Sequence, residues 1–348
     1  MKITPVSPSD ASAASGAYNT WVLPEQKILF VSIGKNACTS IKWLLAEISG
    51  QDIDQLLDTP ALQSTRRMLI HTRKRWVNTP KLSEMTEEQR AQISPDNGWF
   101  VFAVVRDPRL RIFSAWQSKF LVGEPAYSWR KYGGRAWIPS TPESKEDVLR
   151  DWEKFVTALE LDGPRGGVAR GDGHFTTHTA RLHEAVVPYG TIYDMSEIGQ
   201  LTTDLREHLI RTQGHSPELL LGNENDTPLK AGREVFENGI LDRLEVIYAS
   251  DFERFGDLWD ESFERKVMAK PVDWTAADFR EIASRRAINE RVYELDMRIR
   301  GLAAKNRELR ADLQSARAEL TAARDVKVPA PTPTPSLASK VKRRLTAR

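Results

Sequence analysis

Two short segments concentrate anion-binding chemistry. The first is Gly34-Lys35-Asn36-Ala37-Cys38-Thr39-Ser40, which follows the apolar run from Lys27 to Ile33 and precedes residues with helical spacing. A glycine turn between a strand and a helix leaves backbone N–H groups at the positive end of the helix dipole. Lys35 adds a mobile cation, and Thr39 and Ser40 add hydroxyl donors in the first turn. That set suits a phosphate or a sulfate. The segment lacks the first glycine and the spacing of a Walker A loop, which disfavours a standard P-loop ATPase. Taken alone, it fits equally well a plain strand–helix turn with an exposed lysine. The second segment is Val104-Val105-Arg106-Asp107-Pro108, followed by Arg111, Ser114 and Lys119. Arg106 at a strand's C-terminal end is a fork of donors on the edge where α/β sheets take ligands. Ser114, eight residues on, lies on the next helix and can share the same anion, while Asp107 and Pro108 shape the turn. Two anion sites about 70 residues apart point to a nucleotide with phosphates at both ends of its ribose.

Such side chains need a rigid frame, and the flanking sequence predicts one. Lys27 to Ile33 and Phe100 to Val105 have the length and composition of buried strands. Thr39 to Ile48 reads as a helix with Ile41, Leu44, Leu45 and Ile48 on one side, and Pro108 to Leu121 as a second helix. Thr86 to Ile93 starts a short helix, with Thr86 and Gln89 at capping-box spacing. Ser144 and Asp147 are placed to cap a helix reaching about Leu161, and Gly163 to Gly173 reads as an exposed glycine-rich stretch. A helix near Thr177 to Glu184, a strand near Thr191 to Tyr193, and helices over Ile198 to Arg211 and Ala231 to Tyr248 complete the body. Strands alternating with helices predict an α/β fold with a central, mainly parallel sheet flanked by helices.

The two segments together resemble the carbohydrate sulfotransferases of the HNK-1 and chondroitin 4-O type, sulfotransferase family 2. The resemblance is carried by Lys35-Asn36-Ala37-Cys38-Thr39-Ser40-Ile41-Lys42 and by Val105-Arg106-Asp107-Pro108…Phe113-Ser114-Ala115-Trp116…Lys119-Phe120. It continues in order through Gly173-His174-Phe175, Ile192-Tyr193-Asp194, Leu201…Asp204-Leu205, Asn223-Glu224-Asn225-Asp226-Thr227-Pro228 and Val246-Ile247-Tyr248-Ala249…Asp251-Phe252…Phe255-Gly256. It spans about Lys27 to Gly256. Two departures stand out: the family's cysteines are missing, and Thr177 and His178 stand where Pro and Gln often follow the His-aromatic pair.

The resemblance implies a P-loop-like sulfotransferase fold and a PAPS (3′-phosphoadenosine 5′-phosphosulfate) co-substrate. Gly34 to Ser40 would hold the 5′-phosphosulfate, and Arg106 and Ser114 the 3′-phosphate, selecting PAPS over ATP. Sulfuryl transfer to a hydroxyl of a carbohydrate or glycolipid acceptor is an in-line displacement with PAP as product. It parallels phosphoryl transfer in needing positioning and charge stabilisation at the leaving oxygen. Lys35 is the cation expected at the bridging oxygen, and no metal is expected. A sugar hydroxyl needs a general base, for which His71 and His174 are the candidates. His178 and His183 read as helix-surface residues. In the loop from Tyr127 to Trp137, Tyr127, Trp129, Tyr132 and Trp137 lie among Arg130, Lys131 and Arg135. Those side chains could stack on and hold an acidic sugar, or fold over the core.

The remaining chain sets the context. The 348 residues are 40% hydrophobic with ten Trp and twelve Phe, enough for a sizeable core. The single Cys38 excludes an internal disulfide framework and a multi-cysteine zinc site and fits a reducing compartment. No apolar run has signal-peptide or bilayer-spanning length. A cytoplasmic protein is the expectation, with the inner membrane surface open to it as a peripheral site and no nucleic-acid partner. The +2 net charge conceals a mildly acidic body and a tail, Val326 to Arg348, with six basic residues and no acid.

From about Ala287, Ile288, Val292, Leu295, Ile299, Leu302, Asn306, Leu309, Leu313, Ala316 and Leu320 alternate in steps of four and three, a coiled-coil pattern. An amphipathic helix packed on the body is the alternative. Val292, Ile299, Asn306, Leu313 and Leu320 take position a, and Ile288, Leu295, Leu302, Leu309 and Ala316 take position d. Branched residues early in a, Leu in d and one Asn at a favour a parallel homodimer. Arg291 would face Asp296 of the partner and Asp312 would face Arg317, while Lys305 against Arg310 is repulsive. Pro329 to Pro335 is an extended linker. Leu337, Val341 and Leu345 then share a face amid basic residues, as in a weak membrane-surface helix. The expected organisation is a disordered 1–18, a sulfotransferase domain over 19–265, a helix or coiled coil over 275–325, and a linker and disordered basic tail over 326–348. A nucleotide kinase and a coiled-coil partner protein with an inactive nucleotide domain are the competing classes.

Overall fold

The computed structural model describes residues 19–58, 65–128, 135–162, 172–222 and 226–325. The expected disordered N-terminus, the tip of the aromatic loop with Trp129 and Tyr132, most of the glycine-rich stretch, Asn223 to Asn225, and the linker and basic tail lie outside them.

The frame is a four-stranded sheet in the order β1 (Thr20–Leu23), β2 (Ile28–Val31), β3 (Phe100–Val105), β4 (Thr191–Asp194). β2, β3 and β4 are parallel, and β1 pairs antiparallel with β2. All residues of β1 and β2 are buried, so neither strand shows the alternation that marks a half-exposed strand. β1 escaped the sequence reading because its apolar run, Trp21 to Leu23, is only three residues long before Pro24. Register sets Phe30 beside Phe102 and Ala103 beside Ile192. One sheet face carries Phe30, Phe102, Val104 and Tyr193 against α1 (Cys38–Ile48); the other carries Leu29, Val31, Ala103 and Ile192.

The Pro108-to-Leu121 helix divides into α2 (Pro108–Trp116) and a π-helical turn over Gln117–Leu121. Asp107 caps α2 by accepting from the Arg109 N–H, and Pro108 occupies the first turn. α2 and α3 (Lys145–Asp162) bury an aromatic cluster of Phe113, Trp116, Trp152 and Phe155 with Phe175. Then follow α4 (His178–Leu182), α5 (Ile198–Gln213), α6 (Ile240–Ile247) and α7 (Ala249–Phe255). The helix expected over Ala231 to Tyr248 is broken: Arg233–Phe236 is a 3-10 turn, and Asn238 and Gly239 take positive φ before α6 begins.

The last helix, α8, runs from Ala276 to Asp325. Its first turns belong to the body, a compact unit that ends at Glu294. Ile282 is buried, Asn289 Nδ2 donates to the Val122 carbonyl at 2.9 Å, and Arg286 donates to the carbonyls of Leu121, Pro139 and Ser140. In the second unit, from Leu295 on, the seam residues Leu295, Ile299, Leu302, Leu309, Leu313 and Leu320 are exposed. Among the described residues, no helix is long and apolar enough to cross a membrane.

Candidate active site

The first loop leaves β2 and turns into α1 by two residues in left-handed backbone, Lys35 (φ 68°) and Ala37 (φ 54°). Ala37 stands at the N-cap without a side-chain cap, so the first-turn N–H groups of α1 are presented to the cavity in front of them. Asn36 is buried and does not face that cavity; its Nδ2 donates to the Val104 carbonyl at 2.8 Å and clamps the loop to β3. The Ser40 hydroxyl is committed to the Gly222 carbonyl at 2.6 Å. Lys35, Ala37, Cys38 and Thr39 line a cavity of about 400 Å³ with Arg106, Asp194 and an apolar wall of Leu258, Trp259 and Phe263. Cys38 is buried in the first turn of α1. Burial, only partly offset by Glu124, pushes the Lys35 ammonium down to about 8, with Lys119 and Arg106 adding to the effect.

Arg106 sits just beyond β3, beside the loop after β2. Its guanidinium donates to the Lys35 carbonyl at 3.2 Å. It also lines an adjoining cavity of about 250 Å³ that contains Ser114. The two sequence motifs thus open onto neighbouring cavities at one sheet edge. The cradle fits a nucleotide bisphosphate: cations at two places, a helix N-terminus without a side-chain cap, and an apolar wall. A third cavity, about 540 Å³, meets the first at Thr39 and Asp226 and is bordered by Arg66, Arg67, Arg285 and Glu124.

The two candidate histidines differ in what their nitrogens do. His71 receives the Lys42 ammonium at Nδ1 (2.9 Å), so its neutral ring carries the proton on Nε2 and donates it to Thr39 Oγ1 (3.0 Å). Burial, then the neighbouring Lys42, holds His71 well below its ordinary pKa. His174 has Asp172 on Nδ1 at 2.6 Å, which fixes the proton there and leaves Nε2 as the acceptor. Asp172 also accepts from the His174 backbone N–H and the Tyr127 hydroxyl. Burial alone would raise the Asp172 carboxyl, but His174 and Tyr127 hold it far below the usual carboxylate range. Burial, with Lys119, lowers His174, so it is neutral at pH 7. The His174 ring packs on the loop after β2: a Cβ on Gly34 would lie 2.5 Å from its Cδ2 and 3.0 Å from its Nε2.

The profile of the sulfotransferase family matches residues 18–256. The chain belongs to the sulfotransferase family. It is also similar to carbohydrate sulfotransferase 10 of Danio rerio, 27% identical over 180 residues, which cover 50% of this chain. The match spans about half, 47%, of that relative's length. No solved structure matches significantly.

Within this family member, the residues that sequence reasoning passed over are acidic or aromatic and lie far from the two motifs. Asp172 was hidden in a glycine-rich stretch, although its place two residues before His174 is a signal. Asp194 and Trp259 are joined by the indole N–H at 2.9 Å and line the nucleotide-sized cavity. His178, read as a surface residue, is wholly buried against Asp251. His183 is partly buried; its Nε2 meets Asn19 Oδ1 at 3.2 Å. Trp137 is buried against Phe120, and Tyr127 packs on the same ring, so these two aromatics serve the core.

Proposed function

We propose that the chain transfers the sulfuryl group of PAPS to a hydroxyl of a carbohydrate or glycoconjugate. The observation that carries this reading is the arrangement of Lys35 and Thr39 on one cavity and Arg106 with Ser114 on its neighbour, with a carboxylate-held His174 against the same loop. When bound, PAPS supplies a sulfuryl group on a phosphate leaving group. Lys35 and the first-turn N–H groups of α1 take up the charge that develops on the leaving oxygen. Thr39 accepts from His71 and so keeps its own proton for the anion; His71 acts as a positioning residue. Arg106 and Ser114 hold the 3′-phosphate. His174 Nε2 takes the acceptor proton as the acceptor oxygen bonds to sulfur, and the resulting imidazolium is balanced by Asp172.

The acceptor enters from the cavity that meets Thr39, and the name of the zebrafish relative supports a carbohydrate there. The exposed apolar seam from Leu295 to Leu320 supports a parallel homodimer with a second copy. The lone buried Cys38 supports a cytoplasmic setting, with the basic tail on an anionic membrane surface.

Thermal shift with PAP, 5′-AMP, ATP and no ligand tests the donor. Stabilisation by PAP is expected, about 2.7 kcal/mol at a hundredfold excess over Kd. Stabilisation by ATP alone would point to a kinase, and by none of them to an inactive domain. Transfer from labelled PAPS to a glycan fraction of a cell extract tests the acceptor.

A further inference from the structure

The buried pair of His178 and Asp251 lies outside every role assigned so far. Both side chains are fully shielded from solvent. The His178 backbone N–H and ring Nδ1 each reach one carboxylate oxygen of Asp251 at 2.8 Å. The other oxygen accepts from the Thr179 N–H at 2.9 Å. A carboxylate on Nδ1 fixes the proton there, so Nε2 presents a lone pair. Facing it, at 3.4 Å, is the backbone N–H of Arg106. That N–H lies one residue past the end of the β3–β4 ladder, which closes at Val105 opposite Asp194.

The same buried region fastens the segment that carries His174. Arg111, itself fully buried, donates to the carbonyls of His174 and Thr176, and the Tyr248 hydroxyl donates to the Phe175 carbonyl at 2.8 Å. His178 therefore joins two pieces of the site: the main chain of Arg106 and the end of the His174 segment. Burying a charged carboxylate and a histidine is costly unless each is well paired. An apolar pair would fill the space more cheaply, but it would leave the Arg106 N–H without an acceptor.

We propose that His178, held by Asp251, is a positioning residue that fixes the Arg106 main chain so that its guanidinium meets the 3′-phosphate. This rests on the assignment of Arg106 to that phosphate. A core-filling role would affect stability alone. A positioning role must also change the discrimination between PAP and 5′-AMP, which differ by the 3′-phosphate.

The test is calorimetric titration of the full chain with PAP and with 5′-AMP, for wild type, His178→Met, His178→Gln and Asp251→Asn. Methionine keeps the volume and lacks the acceptor. Glutamine restores a carbonyl for Arg106 and an amide N–H for Asp251. His178→Met is expected to weaken PAP about tenfold, the scale of one hydrogen bond made on a charged group, while 5′-AMP changes less than about twofold. His178→Gln is expected to recover most of the preference, and Asp251→Asn to lose part of it. An unchanged PAP preference in His178→Met, whatever its melting temperature, overturns the proposal. So does a Gln variant as poor as Met. If Met does not fold, an unchanged preference in Asp251→Asn overturns it. Loss of the PAP preference in the wild type itself would instead remove the Arg106 assignment.

Discussion

Lys35 gives the sharpest test of the reaction, because its charge is both required and costly. Burial brings its ammonium from the ordinary 10.5 down to about 8, with Glu124 opposing the shift. The protonated form is the one that can neutralise a leaving phosphate, so function should fade as pH rises through about 8. In kcat/KM for PAPS, which reports the free enzyme, the fall should approach tenfold per unit above that point, about 1.4 kcal/mol each. At pH 9 the value should be near one tenth of its plateau. In kcat the limb should move to higher pH, because the bound anion favours the charged lysine. His174 must be neutral to act, and its pKa lies below the usual 6.5, so the acid limb falls below that value. Lys35→Arg isolates the cause. A guanidinium stays charged across this range, so the alkaline limb near 8 should vanish, although the plateau drops because a planar fork is a poor copy of an ammonium. Lys42 is the necessary control, since burial also brings it to about 8. It serves His71 and does not line the nucleotide-sized cavity. Lys42→Arg should therefore keep the limb. A limb that survives in Lys35→Arg, or that follows Lys42, refutes the reasoning.

Other outcomes follow from the same geometry. His174→Asn should lower kcat by about 10²–10⁴ with PAP affinity within about twofold; a calorimetric titration beside the turnover assay separates the two. His71→Asn should cost less in kcat and more in PAP affinity, because Thr39 loses its donor. Gly34→Ala would set a Cβ 2.5 Å from His174 Cδ2. Displacing a ring held by Asp172 should reduce both turnover and stability, the latter by about 1–3 kcal/mol, read by chemical denaturation. On α8, light scattering should give twice the 39.4 kDa chain mass. Leu302→Asp with Leu309→Asp should yield a monomer that still binds PAP, since both residues are solvent-exposed in the single chain and lie outside the body. A monomeric wild type would rule the dimer out.

What was legible in the sequence follows a physical rule. β3 was read to the residue because a continuous apolar run of strand length is a local signal, and α1 and α5 to within two because their apolar residues recur at helical spacing. The donor loop and Arg106 were legible because turn residues and strand ends mark themselves. β1 was not, since its apolar run of Trp21 to Leu23 is too short to mark a strand. The break before α6 depends on positive φ at Asn238 and Gly239, which a smooth helical period conceals. His178 shows the limit most clearly. On a five-residue helix, periodicity cannot tell a buried polar face from a wet one. Its burial is decided by Asp251, 73 residues away. Likewise, the difference between His71 and His174 lies in what meets Nδ1, the Lys42 ammonium in one and the Asp172 carboxylate in the other, a fact of three-dimensional contact alone.

The two anion motifs also form one unit in a way their separation hides. Asn36 from the first loop donates to the carbonyl of Val104, two residues before Arg106, and Arg106 donates back to the carbonyl of Lys35. Parallel pairing of β2 with β3 places the loops side by side, and these two bonds fix how far apart their cations stand. The span between the two proposed phosphate sites is thereby set by main-chain positions and not by flexible side chains. That explains why Asn36, which lines none of the three cavities described, sits in the middle of the motif. Asn36→Ala should therefore loosen both phosphate sites at once, weakening PAP more than the loss of any contact it could itself make. Replacing Ser114, which lines the smaller cavity beside Arg106, should weaken PAP and leave 5′-AMP unaffected.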